Sequence, residues 1–164
     1  MAKWGKCDFR QLKELQTRMN QLQKDDFQEF CESCAKELVA RLLAKVIKRT
    51  QVGQYPTSTG KKGGTLRRGW TAKTEAEAQG GGGADAVSFA QSLLVTKAGE
   101  LYQIEIINPV NYASYVEFGH RTRDHKGWVQ GKFMLTISEQ ELETQSPKIL
   151  ENKLKKYLGE CFNA

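Results

Sequence analysis

The chain has few of the residues and segments on which catalytic, metal-binding or membrane-spanning proteins depend. Its 164 residues include only two histidines, His120 and His125, and only three prolines. No apolar run is long enough to cross a bilayer, and the N-terminal MAKWGKCDFRQ lacks the apolar core of a secretory signal. We therefore expect a protein that is made in the cytoplasm and does not contact membranes.

Cysteine is also sparse, and its spacing predicts neither a disulfide framework nor a metal centre. The four cysteines are Cys7, Cys31, Cys34 and Cys161, and thiols in a cytoplasmic protein normally stay reduced. Cys31 and Cys34 form one C-x-x-C, but no strand precedes it and no second C-x-x-C follows. We expect buried or half-buried helix cysteines, with no metal and no cofactor.

The two histidines lie near carboxylate and arginine residues, a combination that a nuclease could use for acid–base chemistry. Glu117, Arg121 and Asp124 are their neighbours in the sequence. The histidines are five residues apart in a glycine-flanked segment, without the helical spacing or the third ligand of a metal site. The sequence contains no Walker loop and no nucleophile elbow, so we expect no enzyme and no catalytic residue.

Acidic residues are absent from one long segment. Nine basic and no acidic residues occur between Arg41 and Lys73, whereas the whole chain has a net charge of +6. Such a segment can face DNA phosphates or an acidic neighbouring subunit, or it can be a solvated loop. The candidate contacts with DNA or an acidic partner are Lys61, Lys62, Arg67, Arg68, Arg123 and Lys126.

Residue periodicity predicts a single α+β domain over residues 1–164. The predicted elements are a long N-terminal helix, a three-stranded antiparallel sheet over 66–74, 87–96 and 101–107, a short helix with a mobile basic loop, and a broken C-terminal helix. The break is expected at Ser146-Pro147, an N-cap followed by the favoured N1 proline. Residues 51–65 and 79–85 are expected to be flexible loops, the second of them a hairpin tip because of its four glycines.

Single residues give further local predictions. Lys97-Ala98-Gly99-Glu100 is expected to form a hairpin turn. Asn111 is the expected N-cap of the short helix, and Gly119 is expected to end it in a left-handed conformation. Trp70 is expected to lie in the core, and Gly131–Leu142 is expected to be helical.

The N-terminal helical pattern is longer than the predicted sheet requires. Apolar residues recur at intervals of three and four from Phe9 to Leu22 and again from Phe27 to Val46. A continuous helix from Asp8 to Arg49 would extend roughly 60 Å at 1.5 Å per residue. Residues 1–24 are therefore predicted to pack on another chain, and a folded-back helical hairpin is the alternative.

Two motifs suggest a family. The segment YASYVEFGHR, followed by GWVQGKFML, resembles the tail-completion (head-to-tail joining, or neck) family of tailed bacteriophages and phage-derived particles. In that family a Tyr-Ala-x-Tyr-Val-Glu-x-Gly-x-Arg segment precedes a loop and an aromatic-led C-terminal helix. A second family pattern, Thr-Gly-x-Leu-Arg-x-Ser-Trp, corresponds to Thr59-Gly60 and TLRRGW, with KKGGT inserted and Gly69 in place of serine.

The resemblance implies a structural virion protein. It would be a ring-forming tail-completion subunit between the connector and the tail tube, assembled in the host cytoplasm, with double-stranded DNA passing through the ring. Its partners would be further copies and the adjacent neck, connector and tail-terminator or tail-tube proteins. The expected subunit-interface residues are Tyr112, Tyr115, Glu117, Phe118, Arg121, Trp128 and Phe133. A stand-alone basic nucleic-acid-binding module is the alternative, which leaves the long apolar helix unexplained.

Overall fold

Two long helices form the frame of the molecule. The computed structural model describes residues 26–60 and 62–163, together with Lys13 and Thr17, which are helical. The helix predicted over Phe9–Leu22 otherwise lies outside the described residues, as does Lys61. Helix α1 (Asp26–Arg49) matches the second apolar repeat, and the final helix, α6 (Met134–Asn163), packs antiparallel along it.

Short elements connect these two helices. They are α2 (Thr65–Gly69), α3 (Glu75–Gln79), α4 (Ala86–Ser92), β1 (Thr96–Ala98), β2 (Leu101–Gln103), α5 (Ala113–Phe118), β3 (Gly119–Arg121) and β4 (Trp128–Gln130). Residues 51–60 are exposed and include one 3-10 turn at Thr57–Thr59. The mixture of helices and antiparallel strands confirms the α+β class.

The prediction of a three-stranded sheet is wrong. The described residues form two separate two-stranded antiparallel sheets, β1–β2 and β3–β4. Of the predicted strands, 66–74 overlaps α2 and 87–96 overlaps α4. The carboxylate of Asp85 accepts hydrogen bonds from the backbone N–H groups of Val87 and Ser88 at 3.0 and 3.1 Å. This N-cap starts a helix where the alternating pattern alone predicts a strand.

The predicted hairpin turn is correct, although its strands are shorter than expected. Ala98 pairs with Leu101 across Gly99 and Glu100, and Gly99 has a φ of +64°. Residues 80–85 connect α3 to α4 and are therefore not the hairpin tip that their glycines indicate. Helix α5 begins at Ala113, so Tyr112 rather than Asn111 precedes its first residue.

The predicted break in the C-terminal helix is also wrong, because α6 continues through Pro147. A proline inside a helix cannot donate to the carbonyl four residues earlier, which is that of Glu143. The hydroxyl of Ser146 donates to this carbonyl at 3.0 Å instead. The bond satisfies the oxygen that the proline leaves without a backbone donor, so the helix can continue.

The core lies between α1, α4 and α6 and includes the segment after α2. Leu43 and Val46 of α1 are fully buried against Met134 of α6 and Phe89 of α4. Trp70 is only 4% exposed, which confirms its predicted core position. Other buried members are Leu66, Ala72, Ala78, Ala90 and Val110.

Ion pairs hold α6 on the surface of α1. Glu141 pairs with Lys45 at 3.1 Å and with Arg49 at 2.5 Å. Nearer the other end, Glu37 pairs with Lys153 at 2.9 Å. Hydrogen bonds from Lys45 and then Arg49 hold the pKa of Glu141 below its ordinary value of 4.5. The folded protein therefore favours the charged form of this carboxylate.

Replacing Glu141 with glutamine is expected to reduce the sensitivity of the fold to acid. A carboxylate with a lowered folded-state pKa adds stability above its unfolded pKa, and this contribution is lost as the pH falls through the folded-state value. The wild-type free energy of unfolding should therefore fall more steeply than that of Glu141→Gln between about pH 5 and pH 3. Urea unfolding at several pH values measures this, with Glu143→Gln on the same helix as the control. Equal slopes for all three proteins would contradict the expectation.

Candidate functional site

The two motifs meet in the structure although they are far apart in sequence. The side-chain nitrogen of Asn108 donates to the carbonyl of Leu66 at 3.0 Å, across 42 positions of the chain. The Asn108 side-chain oxygen accepts from the backbone N–H of Val110 at 3.2 Å. Asn108 therefore fixes the start of the α5 segment against α2.

Gly69 is required by this contact. A Cβ atom at Gly69 would lie 2.2 Å from the Oδ1 atom of Asn108 and 2.8 Å from a methyl group of Val110. Real Cβ atoms do not approach other atoms so closely. The departure from the serine of the family pattern thus has a physical reason in this chain.

Substitution of Gly69 by serine is expected to destabilise the protein by about 1–3 kcal/mol. Asn108→Ala removes the colliding atom together with two hydrogen bonds. The loss in the free energy of unfolding of the Gly69→Ser/Asn108→Ala protein should therefore be smaller than the sum of the losses in the two single variants. A coupling of about 1 kcal/mol or more is expected from denaturant unfolding of all four proteins. Additive costs would show that Asn108 does not restrict position 69.

Arg67 and Arg68 bind the ends of neighbouring helices. Arg67 donates from Nε and Nη2 to the carbonyl of Thr50, at 2.9 and 2.6 Å, just after the end of α1. Arg68 donates to the carbonyls of Ala78 in α3 at 2.8 Å and of Gly63 at 3.2 Å. Cations at helix C-termini satisfy carbonyls that have no partner within the helix. These two predicted DNA contacts therefore have roles inside the fold, whereas Lys62, Arg123 and Lys126 are exposed.

Thr50 connects the same region to the core. Its hydroxyl donates to the carbonyl of Val46 at 2.7 Å and accepts from the indole nitrogen of Trp70 at 2.8 Å. Thr50 is fully buried. Arg67 and Trp70 of the TLRRGW segment thus both bind Thr50 at the end of α1.

Glu117 is buried and caps the last helix from outside it. Its carboxylate accepts from the backbone N–H groups of Leu135 and Thr136 at 3.0 and 2.9 Å, and from the Thr136 hydroxyl at 2.9 Å. Glu117 is only 5% exposed. Its carboxylate therefore faces the first turn of α6, where the helix presents backbone donors without internal acceptors.

Two glycines let α5 and the β3–β4 hairpin approach closely. Gly119 has a φ of +88°, as its predicted position at the end of α5 requires. A Cβ at Gly131 would lie 2.2 Å from the carbonyl oxygen of Glu117. The backbone N–H groups of Lys132 and Phe133 donate to Val116 and Glu117 carbonyls at 2.8 and 3.0 Å. Sequence reasoning missed this role for Gly131, which it placed at the start of a helix.

The segment predicted as a mobile basic loop is a hairpin. His120 pairs with Val129 and Arg121 with Trp128 in the β3–β4 register. At its turn, the Thr122 hydroxyl donates to Asp124 at 2.6 Å. Hydrogen bonds from Thr122 and from the Lys126 backbone lower the pKa of Asp124. Asp124 therefore organises the turn.

Three large aromatic side chains project from α5 and this hairpin, and we call them the aromatic face: Tyr115, Phe118 and Trp128. They are 57%, 61% and 61% exposed. The Tyr115 ring contacts the His120 ring edge-on with centroids 5.8 Å apart. The Trp128 indole nitrogen lies 2.9 Å from where a Cβ of Gly119 would be, so the indole lies over that glycine. Tyrosine, phenylalanine and tryptophan are enriched in the contact surfaces of proteins.

The other predicted interface residues are exposed to different degrees. Arg121 is exposed in β3, whereas Phe133 is half-buried with a φ of +49°. Tyr112 is 40% exposed. Burial, and then the nearby Tyr55, raise the pKa of Tyr112. Most of the predicted interface residues are thus at least partly exposed, whereas Glu117 faces inward and binds the first turn of α6.

The described part of the chain was compared with the patterns of metal-binding and membrane-spanning proteins, and its cysteines were located. Within residues 26–60 and 62–163, no three His, Cys, Asp or Glu side chains come together in a way that could hold a metal ion. No helix there combines the length and apolar character needed to cross a membrane. Cys31 is half-buried and Cys34 buried, both free, as predicted for these two. Burial raises the pKa of the Cys34 thiol.

A family comparison favours a structural class of function. A model described as "Bacteriophage HK97-gp10, putative tail-component" matches residues 13–119, about two thirds of the chain. The chain belongs to this phage tail-component family. The match includes α1, the TLRRGW segment and α5 up to Gly119. The predicted family resemblance is therefore confirmed. No curated protein and no solved structure matches the chain.

Family membership has direct consequences for the protein. As a bacteriophage tail component, it is a structural protein of the virion, and its neighbours are other proteins of the tail. Contact with those proteins is therefore part of its role. The motifs that carried the resemblance hold the fold together beneath the aromatic face.

Proposed function

We propose that the protein is a ring-forming tail-completion subunit, which joins the head-side connector to the tail tube and leaves a passage for double-stranded DNA. The observation that carries the proposal is the aromatic face of Tyr115, Phe118 and Trp128, more than half exposed in a phage tail component. Tyrosine and tryptophan are enriched in the energetically dominant centres of interfaces. In a ring, this face would contact the next copy or the adjacent tail protein.

The base of the aromatic face is suited to presenting a fixed surface. Gly119 and Gly131 bring α5 and the hairpin into backbone contact, and Glu117 fastens α5 to α6. Side chains on a rigid base lose less conformational freedom on association. Tyr112, Arg121 and Phe133 would complete the contact at its border.

The exposed cations give this subunit a second type of contact. Arg123 and Lys126 lie at the tip of the β3–β4 hairpin, and Lys62 lies in the exposed segment before α2. We propose that they face the DNA in the lumen or an acidic partner, together with Lys61. Arg67 and Arg68 are left out of this proposed set, because their guanidinium groups already donate to carbonyls at helix ends.

Replacement of Phe118 and Trp128 by serine should prevent incorporation into particles while leaving the monomer folded. Both side chains are 61% exposed, so their loss costs the monomer little, whereas a contact centre loses about 2 kcal/mol or more for each. Incorporation should fall at least roughly tenfold, measured by quantitative mass spectrometry of purified particles.

The matched control is Leu101→Ser, which removes a 66%-exposed apolar side chain from the other hairpin. It should enter particles normally. Normal incorporation of the double variant would refute the aromatic face as the contact. A protein that is absent from particles and binds DNA as a monomer, with a steep loss of affinity in salt, would support the stand-alone nucleic-acid-binding module.

A further inference from the structure

A basic groove runs along one side of the contact between α1 and α6. It consists of two clefts with volumes of about 620 and 390 Å³. The clefts adjoin, because Arg41 of the first and Lys45 of the second are one helical turn apart on the same face of α1. The cations that line the basic groove are Arg41, Lys45, Lys48 and Arg49 of α1, and Lys148, Lys153 and Lys156 of α6. The fold thus brings cations from two distant segments of the chain onto one surface.

Two carboxylates in the basic groove are each shared by two of these cations. Glu37 pairs with Arg41 at 2.8 Å and with Lys153 at 2.9 Å. Glu141 is shared in the same way by two cations of α1. Each carboxylate therefore neutralises only one of its two partners, while it holds both beside the groove. Cationic side chains that are already ordered lose less conformational freedom when they bind a ligand.

The remaining cations of the basic groove add to its positive charge. Lys156 lies 3.7 Å from Glu160. Lys48 and Lys148 are exposed and form no ion pair with any residue that the structure describes. The groove thus has seven cations and three carboxylates, an excess of four positive charges. The net charge of the whole chain is +6, so the excess on this one surface amounts to most of it.

We propose that the basic groove binds the phosphate backbone of the double-stranded DNA that passes through the ring. The inference rests on the proposed function, which supplies the DNA. Along α6, the groove extends from Glu141 to Lys156, about 22 Å at 1.5 Å per residue. One strand of B-DNA has a phosphate about every 3.4 Å along its axis, so this length covers about six phosphates. The number of cations is close to the number of phosphates within their reach.

The other side chains of the basic groove favour DNA over an acidic protein as the ligand. Besides the charged residues, the two clefts are lined by Thr144, Gln145, Asn152 and a single apolar residue, Ile149. The centres of protein–protein interfaces are apolar and depleted of charged residues. Lysine, arginine, threonine, asparagine and glutamine are the side chains that bind DNA phosphates. The groove also lies farther along α6 than Leu135 and Thr136, which bind Glu117 beneath the aromatic face, so both surfaces can be occupied together.

The salt dependence of DNA binding tests this assignment. The affinity of the full chain for a fluorescently labelled duplex of about 20 base pairs is measured by anisotropy between about 50 and 200 mM salt. Lys48→Gln/Lys148→Gln should weaken binding about tenfold or more at the lowest salt and reduce the slope of log K against log salt by about two, because two phosphate contacts are lost. Lys73→Gln/Lys97→Gln removes the same charge at exposed positions outside the groove and should have little effect. Equal effects of the two double variants would overturn the inference.

Glu141→Gln provides a test with the opposite sign. Removal of this carboxylate raises the positive excess of the groove, so the affinity for the duplex should increase about threefold or more. Partial unfolding cannot produce such a gain. Glu143→Gln changes the net charge equally on the opposite side of α6, at 100° per residue, and should increase the affinity less. An equal gain for both variants would show that only net charge matters and would contradict the groove as the site.

The wild-type protein gives the remaining outcomes. No measurable binding of the duplex at about 50 mM salt would overturn the inference. Tighter binding of polyglutamate than of the duplex would also overturn it and would assign the groove to an acidic protein. Either result in a protein that still enters particles leaves the proposed function standing, whereas absence from particles contradicts the function itself.

Discussion

Replacement of Gly131 by alanine is expected to destabilise the protein by about 3 kcal/mol or more, or to prevent folding altogether. The new Cβ would lie 2.2 Å from the carbonyl oxygen of Glu117, 2.6 Å from the carbonyl carbon of Phe118 and 2.8 Å from the nitrogen of Gly119. All three are backbone atoms, so no side chain can rotate to relieve the overlap. Urea unfolding followed by circular dichroism measures the effect.

Gly127→Ala in the same hairpin is the matched control. The three atoms nearest to a Cβ there belong to the side chain of Thr122, the closest at 3.3 Å. The free energy of unfolding should therefore change by less than about 1 kcal/mol. If Gly131→Ala were as stable as Gly127→Ala, the backbone of α5 would not contact the strand before α6 in solution. The described packing of α5 on the hairpin, which supports the aromatic face, would then be wrong.

Replacement of Glu117 by alanine is expected to cost about 2–4 kcal/mol of stability. The substitution removes three hydrogen bonds and leaves the partly buried N–H groups of Leu135 and Thr136 without their acceptor. Glu117→Gln keeps an acceptor oxygen but directs an N–H₂ group toward a donor, so it should be intermediate. Thermal and urea unfolding measure both variants.

Glu105→Ala controls for the loss of an acidic side chain, because Glu105 is exposed. Its stability should be close to that of the wild-type protein. A Glu117→Ala protein with wild-type stability would show that the carboxylate does not cap α6. If the capping role is correct, Glu117→Ala should lower incorporation into particles in proportion to its decrease in the fraction of folded protein.

Local signals in the sequence predicted the elements that local interactions determine. The apolar repeat from Phe27 to Val46 predicted α1, and Lys97-Ala98-Gly99-Glu100 predicted the hairpin turn between β1 and β2. Gly119 was correctly expected at the end of α5. In each case, a repeat or a residue with special backbone freedom acts within a few residues.

The prediction failed where two local signals compete. The alternating residues 87–96 predicted a strand, but Asp85 caps a helix at their start. Ser146-Pro147 predicted a helix start, but the Ser146 hydroxyl satisfies the Glu143 carbonyl and the helix continues. Side-chain hydrogen bonds of this kind determine within one turn whether a helix begins or continues. The periodicity of apolar residues gives no information about them.

The roles of the arginines and of Gly131 depended on contacts between distant segments. Basic residues in TLRRGW are compatible with DNA contact by type alone, yet Arg67 and Arg68 bind carbonyls of Thr50 and Ala78. Gly131 has an ordinary sequence context, and only the position of Glu117 across the hairpin excludes a side chain there. The exposure of the aromatic face likewise follows from the packing of α5 on α6.

The most direct test of the account is hydroxyl-radical footprinting of the aromatic face in purified particles and in the free protein. Tyr115, Phe118 and Trp128 are exposed in the free chain, so they should be oxidised readily there. In particles, we expect their oxidation rates to fall about tenfold, while that of the control residue Leu101 falls less. Equal rates for the three aromatics in particles and in free protein would contradict the central claim that this face joins the subunit to its neighbours.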